Sequence, residues 1–226
     1  METLSTVVED RIWVAERPVW FSGVRLRART TILRLEDGGL WVHSPAPPSP
    51  ALDTALEALG PVRWLVIPNV FHHLGASEAA GRYPEATVVG PAAARAKRPE
   101  LAFEAFEEGA PIPAELERLP LEGVPFLDES LFFHEPTGTL IGSDFVMSAG
   151  PKDHWTWRLA GRITGRWGKV RTPPDVQWKT PRSAAAAEAI RRVAERPIRR
   201  VLVAHADPIE DEPAERLREA WRFVHP

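Results

Sequence analysis

Two adjacent histidines, His72 and His73, stand just after an apolar run and are the strongest sign of chemistry in this sequence. The run at 64–67 predicts a buried strand and residues 77–80 predict the start of a helix, so the pair falls in a strand-to-helix loop. Neighbouring imidazoles in such a loop can turn toward one ion, and Zn²⁺ accepts imidazole nitrogens at about 2.0–2.1 Å. Asp144 and His205 each follow a later predicted strand. These four residues predict a metal site built at strand ends.

The elements that must position these residues alternate between strands and helices, with a hairpin turn at Glu36-Asp37-Gly38-Gly39. Because the candidate ligands come from both halves of the chain, we predict a single domain over 1–226. The predicted strands are 12–14, 30–35, 40–43, 63–67, 86–89, 119–124, 130–134, 139–141 and 200–204. The predicted helices are 51–59, one that ends near Tyr83, one that begins at Ser183, and one that Asp211 caps and that closes the chain near Phe223.

The composition of the chain limits the kinds of molecule that it is expected to bind and the compartment in which it is expected. The chain has 226 residues, 44% of them hydrophobic, which is enough for a sizeable core. Its formal charge of -3 predicts neither a nucleic-acid partner nor a membrane partner, and no apolar run approaches the roughly 20 residues of a membrane span. The chain has no cysteine and no signal-peptide pattern at its start, so a cytoplasmic location is the expectation. The oligomeric state is left open.

Three stretches together resemble the metallo-β-lactamase-fold superfamily: the loop 68–76, the segment Gly138-Thr139-Leu140-Ile141-Gly142-Ser143-Asp144, and Val201-Leu202-Val203-Ala204-His205. Within that superfamily the chain resembles a divergent branch that carries a Pro-Asn-x-x-His-His loop in place of His-x-His-x-Asp-His. The resemblance covers most of the chain. It implies an α/β fold in four layers, an αββα sandwich with two sheets face to face and helices outside.

The resemblance also implies which ligands survive. The two leading histidines of the superfamily's loop fall here on Pro68 and Val70, and the middle histidine falls on Val124, so one of the two metal pockets is dismantled. The other pocket's ligands fall on competent residues. They are His72, His73, Asp144 and His205.

A set of three imidazoles and one carboxylate suits one divalent metal ion, with Zn²⁺ the first expectation and Fe²⁺ or Mn²⁺ left open. With a single ion, a general base is wanted beside the site, and we expect it among Asp144, His134 and Asp207. Substrate-binding roles are predicted for Asn69, His43 and Trp155; a hydrogen bond that orients a ligand is an alternative for Asn69, and packing is an alternative for His43.

Residues 151–182 form a separate basic, tryptophan-rich segment. It carries eight Lys and Arg against two Asp, a formal surplus of 8 − 2 = +6. One interpretation is that its tryptophans pack on the core while its arginines are solvated. A lid or wall that attracts an anionic substrate is the functional alternative, and single-stranded nucleic acid is a weaker one.

The resulting hypothesis is a mononuclear metal-dependent hydrolase for a small, anionic ester, thioester, lactone or phosphoester. The fold does not carry the activity with it. Two other functions therefore stay open: a non-catalytic binding or scaffold protein with an empty or structural site, and an iron-dependent oxidoreductase that uses the same ligands.

Overall fold

The computed structural model of the chain describes residues 4–224 as two β-sheets with helices. The α/β fold predicted from the sequence is confirmed. The strands are β1 (Ser5–Val8), β2 (Ile12–Phe21), β3 (Val24–Arg34), β4 (Leu40–His43), β5 (Val62–Val66), β6 (Thr87–Gly90), β7 (Glu104–Ala105), β8 (Leu116–Pro120), β9 (Ser130–His134), β10 (Thr139–Ile141) and β11 (Arg200–Leu202). The helices are α1 (Pro50–Leu59), α2 (Ala76–Arg82), α3 (Trp155–Ile163), α4 (Pro174–Lys179), α5 (Ala184–Ala194) and α6 (Pro213–Trp221).

Contacts divide the chain into two compact units. The first comprises the chain up to Arg17 and Arg29–Glu115, and the second comprises Pro18–Ala28 and the chain from Leu116 onward. The tip of the long β2–β3 hairpin therefore belongs to the second unit although its base belongs to the first. The prediction of one domain over 1–226 stays a prediction.

The first unit is built on the strands of a seven-stranded sheet in the order β1-β2-β3-β4-β5-β6-β7. Strands β4 to β7 run parallel, so the chain leaves β4 and β5 at the same edge of the sheet. Ser49 caps α1 by accepting a hydrogen bond from the amide of Leu52, and that helix ends at Gly60 as predicted. Leu52 and Leu56 of α1 join Leu40 and Leu65 of the sheet in the buried core of the unit.

The second unit holds a four-stranded sheet in the order β11-β10-β9-β8. Strands β8, β9 and β10 are antiparallel, whereas β10 and β11 are parallel and pair Ile141 with Leu202. The carboxyl ends of β10 and β11 consequently lie at one edge of this sheet. That edge is where the chain continues to Asp144 and to His205.

Several predicted boundaries move. β2 and β3 are much longer than the predicted strands, and β8 ends at Pro120 where a strand to Val124 was predicted. Helix α6 begins after Glu212, which has a positive φ of 45° and makes no side-chain cap, so the predicted capping role of Asp211 is wrong. The basic segment 151–182 contains two helices, α3 and α4, that its pattern did not predict.

Candidate functional site

In the first unit, the loop that carries the histidine pair is shaped by Asn69. This fully buried side chain accepts hydrogen bonds at its Oδ1 from the backbone amides of Phe71 and His72, both at 2.9 Å. An asparagine that accepts from amides two and three residues ahead closes a tight turn without help from the rest of the fold. Asn69 therefore positions His72, and the geometry supports its orienting role instead of direct contact with a substrate.

Gly75 lets the same loop approach the neighbouring Pro-rich segment. A Cβ added there would lie 2.4 Å from the carbonyl oxygen of Pro45 and 2.5 Å from the carbonyl carbon of Ala46. Both of those atoms belong to the backbone, so neither can swing aside as a flexible side chain would. A side chain at this position would separate the two loops.

His72 is oriented by a hydroxyl. Its Nδ1 lies 2.6 Å from Ser44 Oγ, and the backbone carbonyl of Ser44 accepts a hydrogen bond from Thr30 Oγ1 at 2.7 Å. Ser44 has a positive φ of 54° just after β4, so the serine sits in a backbone conformation that is uncommon for its type. A hydroxyl oxygen can accept a hydrogen bond from Nδ1–H, and in that tautomer the lone pair that His72 would offer to a ligand is on Nε2.

His43 is a packing residue of the first unit. It is buried, and its ring stacks on Trp41 at 5.3 Å between centroids. Burial, with a smaller contribution from the charge on His72, lowers the pKa of His43 from 6.5 to about 3. The imidazole is therefore neutral at neutral pH. The predicted substrate-binding role is not supported, because only 1% of the residue is exposed.

The ring of His73 is hydrogen-bonded to a different residue, Arg98. Its Nδ1 accepts a hydrogen bond from Arg98 Nε at 3.0 Å, and the same guanidinium nitrogen also approaches its backbone carbonyl at 3.3 Å. Burial, followed by the charges of Arg98 and Lys97, lowers the pKa of His73. When Nδ1 of a neutral imidazole accepts a hydrogen bond, the proton of the ring is on Nε2. A metal ion would need a lone pair on that same nitrogen. The hydrogen bond to Arg98 therefore argues against His73 as a ligand, and its ligand role stays a prediction.

In the second unit, the turn after β10 is held by a buried carboxylate. Glu129, only 2% exposed, accepts hydrogen bonds from the backbone amides of Ser143 at 2.6 Å and of Asp144 at 3.0 Å, one on each carboxylate oxygen. Two amides aimed at one carboxylate fix the path of the backbone at Asp144.

His205 is oriented by the β2–β3 hairpin. Its Nδ1 lies 2.5 Å from the backbone carbonyl of Arg27, and because a carbonyl only accepts, Nδ1 must carry the proton. The side chain of Arg27 is held in turn by two carboxylates, with Nε bonded to Asp153 at 2.7 Å and Nη1 bonded to Asp207 at 2.9 Å. A histidine fixed in this way through Nδ1 resembles the usual metal-ligand arrangement, in which the other ring nitrogen is turned to the ion.

His205 Nε2 lies 3.3 Å from Asp144 Oδ1, and both side chains are largely buried. With Nδ1 protonated, this contact has two chemical meanings: a doubly protonated imidazolium paired with the carboxylate, or two ligand atoms arranged around one cation. Two ligand atoms at about 2.0–2.1 Å from a tetrahedral ion lie about 3.3–3.4 Å apart. The separation thus fits adjacent corners of a metal site, and the donor types are those that Zn²⁺ and related ions accept.

Other predicted site residues are placed away from this pair. His134 is buried in β9 with Nδ1 2.8 Å from Thr137 Oγ1, and it pairs with Thr139, the first residue of β10, whereas Asp144 follows the last. This hydrogen bond and this register do not favour His134 as the general base, and that role stays a prediction. Asp207 is ion-paired with Arg27, and its role as a base also stays a prediction. Trp155 is mostly exposed at the start of α3, and its substrate-binding role stays a prediction.

Three positioning residues escaped the sequence analysis: Ser44, Glu129 and Arg27. Ser44 carried a signal, since it ends the Leu-Trp-Val-His-Ser run. Glu129 stands beside Asp128 in the sequence as a surface acid would, and only its burial shows that its charge is used inside the fold. Arg27 had no signal, because it lies 178 residues from the histidine that it orients.

Comparisons with known proteins agree with this fold. The chain is similar to a metallo-β-lactamase from Hirschia baltica, with 12% identity, a TM-score of 0.67 and coverage of 100% of this chain and 98% of that one. It is also similar to the metallo-β-lactamase FIM-1 from Pseudomonas aeruginosa in its mono-zinc form, with 13% identity, a TM-score of 0.61 and coverage of 100% and 97%. A flavodiiron core from Synechocystis matches at 10% identity and a TM-score of 0.68, with coverage of 99% of this chain and 60% of that one.

At the level of sequence, the profile of a family described as "Domain of unknown function (DUF4336)" matches residues 9–93. Comparison with curated proteins gives no match. The chain has the metallo-β-lactamase fold, as the sequence resemblance implied.

Proposed function

We propose that the protein is a mononuclear metal-dependent hydrolase whose metal ligands are Asp144, His205 and His72. The observation that carries the proposal is the contact of His205 Nε2 with Asp144 Oδ1 at 3.3 Å, with Nδ1 of the same ring donating to Arg27. His72 is the third ligand on the strength of its place in the sequence pattern and of Ser44, which leaves its Nε2 as the ligand nitrogen. His73 is left out of the set because of Arg98.

A divalent ion bound by these residues would polarise a carbonyl or phosphoryl oxygen and lower the pKa of a coordinated water from about 15.7 toward about 7. Zn²⁺ is our first expectation for this donor set, and Fe²⁺ and Mn²⁺ also suit it. The mono-zinc form of a similar structure and the flavodiiron core with the same fold support both expectations.

The chain's own residues supply positioning and proton transfer. Arg27 holds the tautomer of His205, and Glu129 holds the backbone from which Asp144 projects. We assign to Asp144 the further role of accepting the proton of the attacking water, because His134 is hydrogen-bonded to Thr137 and Asp207 is ion-paired with Arg27. A small, anionic ester, thioester, lactone or phosphoester is the substrate class that the basic segment 151–182 favours.

Metal content tests this proposal directly, and the adjacent histidines provide a matched pair of variants. Purified wild-type protein, His72→Ala, His73→Ala and His205→Ala are reconstituted with Zn²⁺, dialysed and measured by elemental mass spectrometry. We expect about one equivalent in the wild type and in His73→Ala, and almost none in the other two. Hydrolysis of ester, lactone and phosphoester substrates is then measured on the same four samples.

Equal loss of metal from His72→Ala and His73→Ala would overturn the ligand set. A wild type that binds no Zn²⁺, Fe²⁺ or Mn²⁺ after reconstitution would overturn the metalloenzyme and favour a binding protein that keeps the fold. Iron retained from expression, together with oxygen consumption and no hydrolysis, would favour the oxidoreductase alternative.

A further inference from the structure

Helix α3 in the second unit exposes large apolar side chains on its outer side. Trp155, Leu159 and Ile163 are 65%, 51% and 77% exposed, and their spacing of four residues places them along one side of the helix. The opposite side is buried through Trp157 and Gly161. The helix therefore packs on the rest of the unit through its inner side. The exposed apolar row on its outer side takes no part in that packing.

The tip of the β2–β3 hairpin extends this row. Trp20 and Phe21 are 66% and 56% exposed. The rings of Trp20 and His154 lie edge to face at 5.9 Å, and His154 lies 5.7 Å from Trp155. We call the resulting surface the aromatic face. Its members are Trp20, Phe21, Trp155, Leu159 and Ile163.

The exposed charges of residues 151–174, which include helix α3, are of one sign. Helix α3 contains Arg158 and Arg162 and no acidic residue, and Lys152 is exposed just before it. Asp153 is the one acidic residue between positions 151 and 174, and it is buried in an ion pair with Arg27. On a helical projection, Arg162 is next to Trp155 and Arg158 is one step further round. Both guanidinium groups lie over the ring of Trp167, at 3.7 and 5.7 Å from its centre, which holds them beside the row.

We propose that the aromatic face docks the protein on the surface of an anionic lipid membrane. An exposed row of Trp, Leu and Ile flanked by arginines is the pattern of a helix that lies in the membrane interface, with its apolar side in the acyl boundary and its cations at the lipid headgroups. Two aromatic side chains at a hairpin tip add a second point of insertion, because tryptophan favours the headgroup level.

Charge decides against a second copy of this chain as the occupant. In a two-fold dimer the same patch meets itself, so Arg158, Arg162 and Lys152 would face their own copies with no exposed acid in 151–174 to neutralise them. Nucleic acid would match the charge and could stack on the tryptophans. It would leave the aliphatic side chains of Leu159 and Ile163 without an apolar partner, whereas lipid covers all five.

The proposal replaces the expectation of no membrane partner that the net charge of -3 suggested. The total charge conceals a local surplus, because Asp153 is the one acidic residue between positions 151 and 174 and the other acids of the chain lie outside that stretch. Among the residues that the structure describes, no helix has the length and apolar character needed to cross a bilayer.

Co-sedimentation with vesicles tests the proposal and does not depend on the metal site. Wild-type protein is mixed with vesicles of phosphatidylcholine alone or with about 30% phosphatidylglycerol, at low and high salt, and the bound fraction is measured. We expect binding to the anionic vesicles only, weakened by salt, with a blue shift of tryptophan fluorescence. The Leu159→Glu/Ile163→Glu variant is expected to bind at least about tenfold more weakly, because it puts two charges into the apolar row.

The matched control is Thr54→Glu/Ala58→Glu, which adds the same two charges four residues apart on the exposed side of α1. It is expected to bind vesicles as the wild type does. Circular dichroism of both variants establishes that they are folded.

Three results would overturn the proposal: equal binding by both variants, no binding by the wild type to anionic vesicles, or a dimer in sedimentation velocity that Leu159→Glu/Ile163→Glu dissociates. A single-stranded oligonucleotide that binds more tightly than the vesicles and displaces the protein from them would assign the face to nucleic acid.

Discussion

The loop around His72 and the strand ends around Asp144 and His205 position histidines in different ways. The loop is arranged by neighbours in sequence, since Asn69 accepts from amides two and three residues ahead. The strand ends are arranged by residues further away in the sequence: the carboxylate of Glu129, 14 residues before Ser143, and the backbone carbonyl of Arg27, 178 residues before His205. Local turns need only the right side chain nearby, whereas strand ends need the whole sheet to be assembled first.

This contrast predicts a larger stability loss at the strand ends than in the loop. Glu129→Ala removes the carboxylate that accepts hydrogen bonds from the amides of Ser143 and Asp144. Both N–H groups then stay buried without that acceptor. We expect the free energy of unfolding to fall by about 3–5 kcal/mol. Urea denaturation measures it, with the exposed Glu122→Ala as the control that should change little.

A smaller effect, in the first unit, depends on pH. The pKa of His43 is about 3 in the folded protein and 6.5 in the unfolded chain, so below pH 6.5 the unfolded state binds the extra proton. Stability is therefore complete above pH 6.5 and falls toward pH 3, by up to about 1.4 kcal/mol for each pH unit. Denaturation at pH 7 and pH 5 with a chelator present measures the loss, and His43→Phe should flatten the dependence. An unchanged slope in that variant would assign the effect to other groups.

The close approach at Gly75 predicts opposite outcomes for two neighbouring glycines. Gly75→Ala must push the backbone of Pro45 and Ala46 away, and we expect a loss of about 1–3 kcal/mol. Gly81→Ala, inside α2 with nothing within 4 Å of an added Cβ, should stabilise the protein by about 0.5–1 kcal/mol. Thermal unfolding of the two variants gives the comparison. A loss from both would mean that the helix, and not the loop contact, limits this region.

The smallest loss of stability is expected from Asn69. Asn69→Ala removes an acceptor from the amides of Phe71 and His72, and we expect a loss of about 1–2 kcal/mol in unfolding free energy. Asn69→Asp keeps an acceptor of the same shape and should restore most of it. A loss as large as that of Glu129→Ala would erase the distinction between the loop and the strand ends.

The sequence could predict the fold and the strand ends because both rest on patterns of adjacent residues. The run before His72, and the strands before Asp144 and His205, were all placed correctly. The orientation of each histidine could not be predicted. His72 and His73 are neighbours with the same ring, and only a hydroxyl on one and a guanidinium on the other separate their roles.

Contacts with residues distant in the sequence also decide the position of His134 and the exposure of helix α3, which the sequence pattern does not show. His134 ends its strand as a candidate base should, but the antiparallel register sets it beside the first residue of β10. The helix α3 was hidden because its row of Trp155, Leu159 and Ile163 is exposed, and an apolar row is ordinarily assigned to the core.

The tip of the β2–β3 hairpin, which orients His205, is synthesised long before the histidine that it contacts. Arg27 leaves the ribosome 178 residues ahead of His205, roughly 10–35 s earlier at about 5–20 residues per second. Throughout that interval the hairpin tip, with Trp20 and Phe21, has none of the partners that it finds in the second unit. A fragment that starts at Leu116 would lack this strand pair altogether. Any dissection of the protein into halves must therefore carry residues 18–28 with the later segment, by circular permutation instead of truncation.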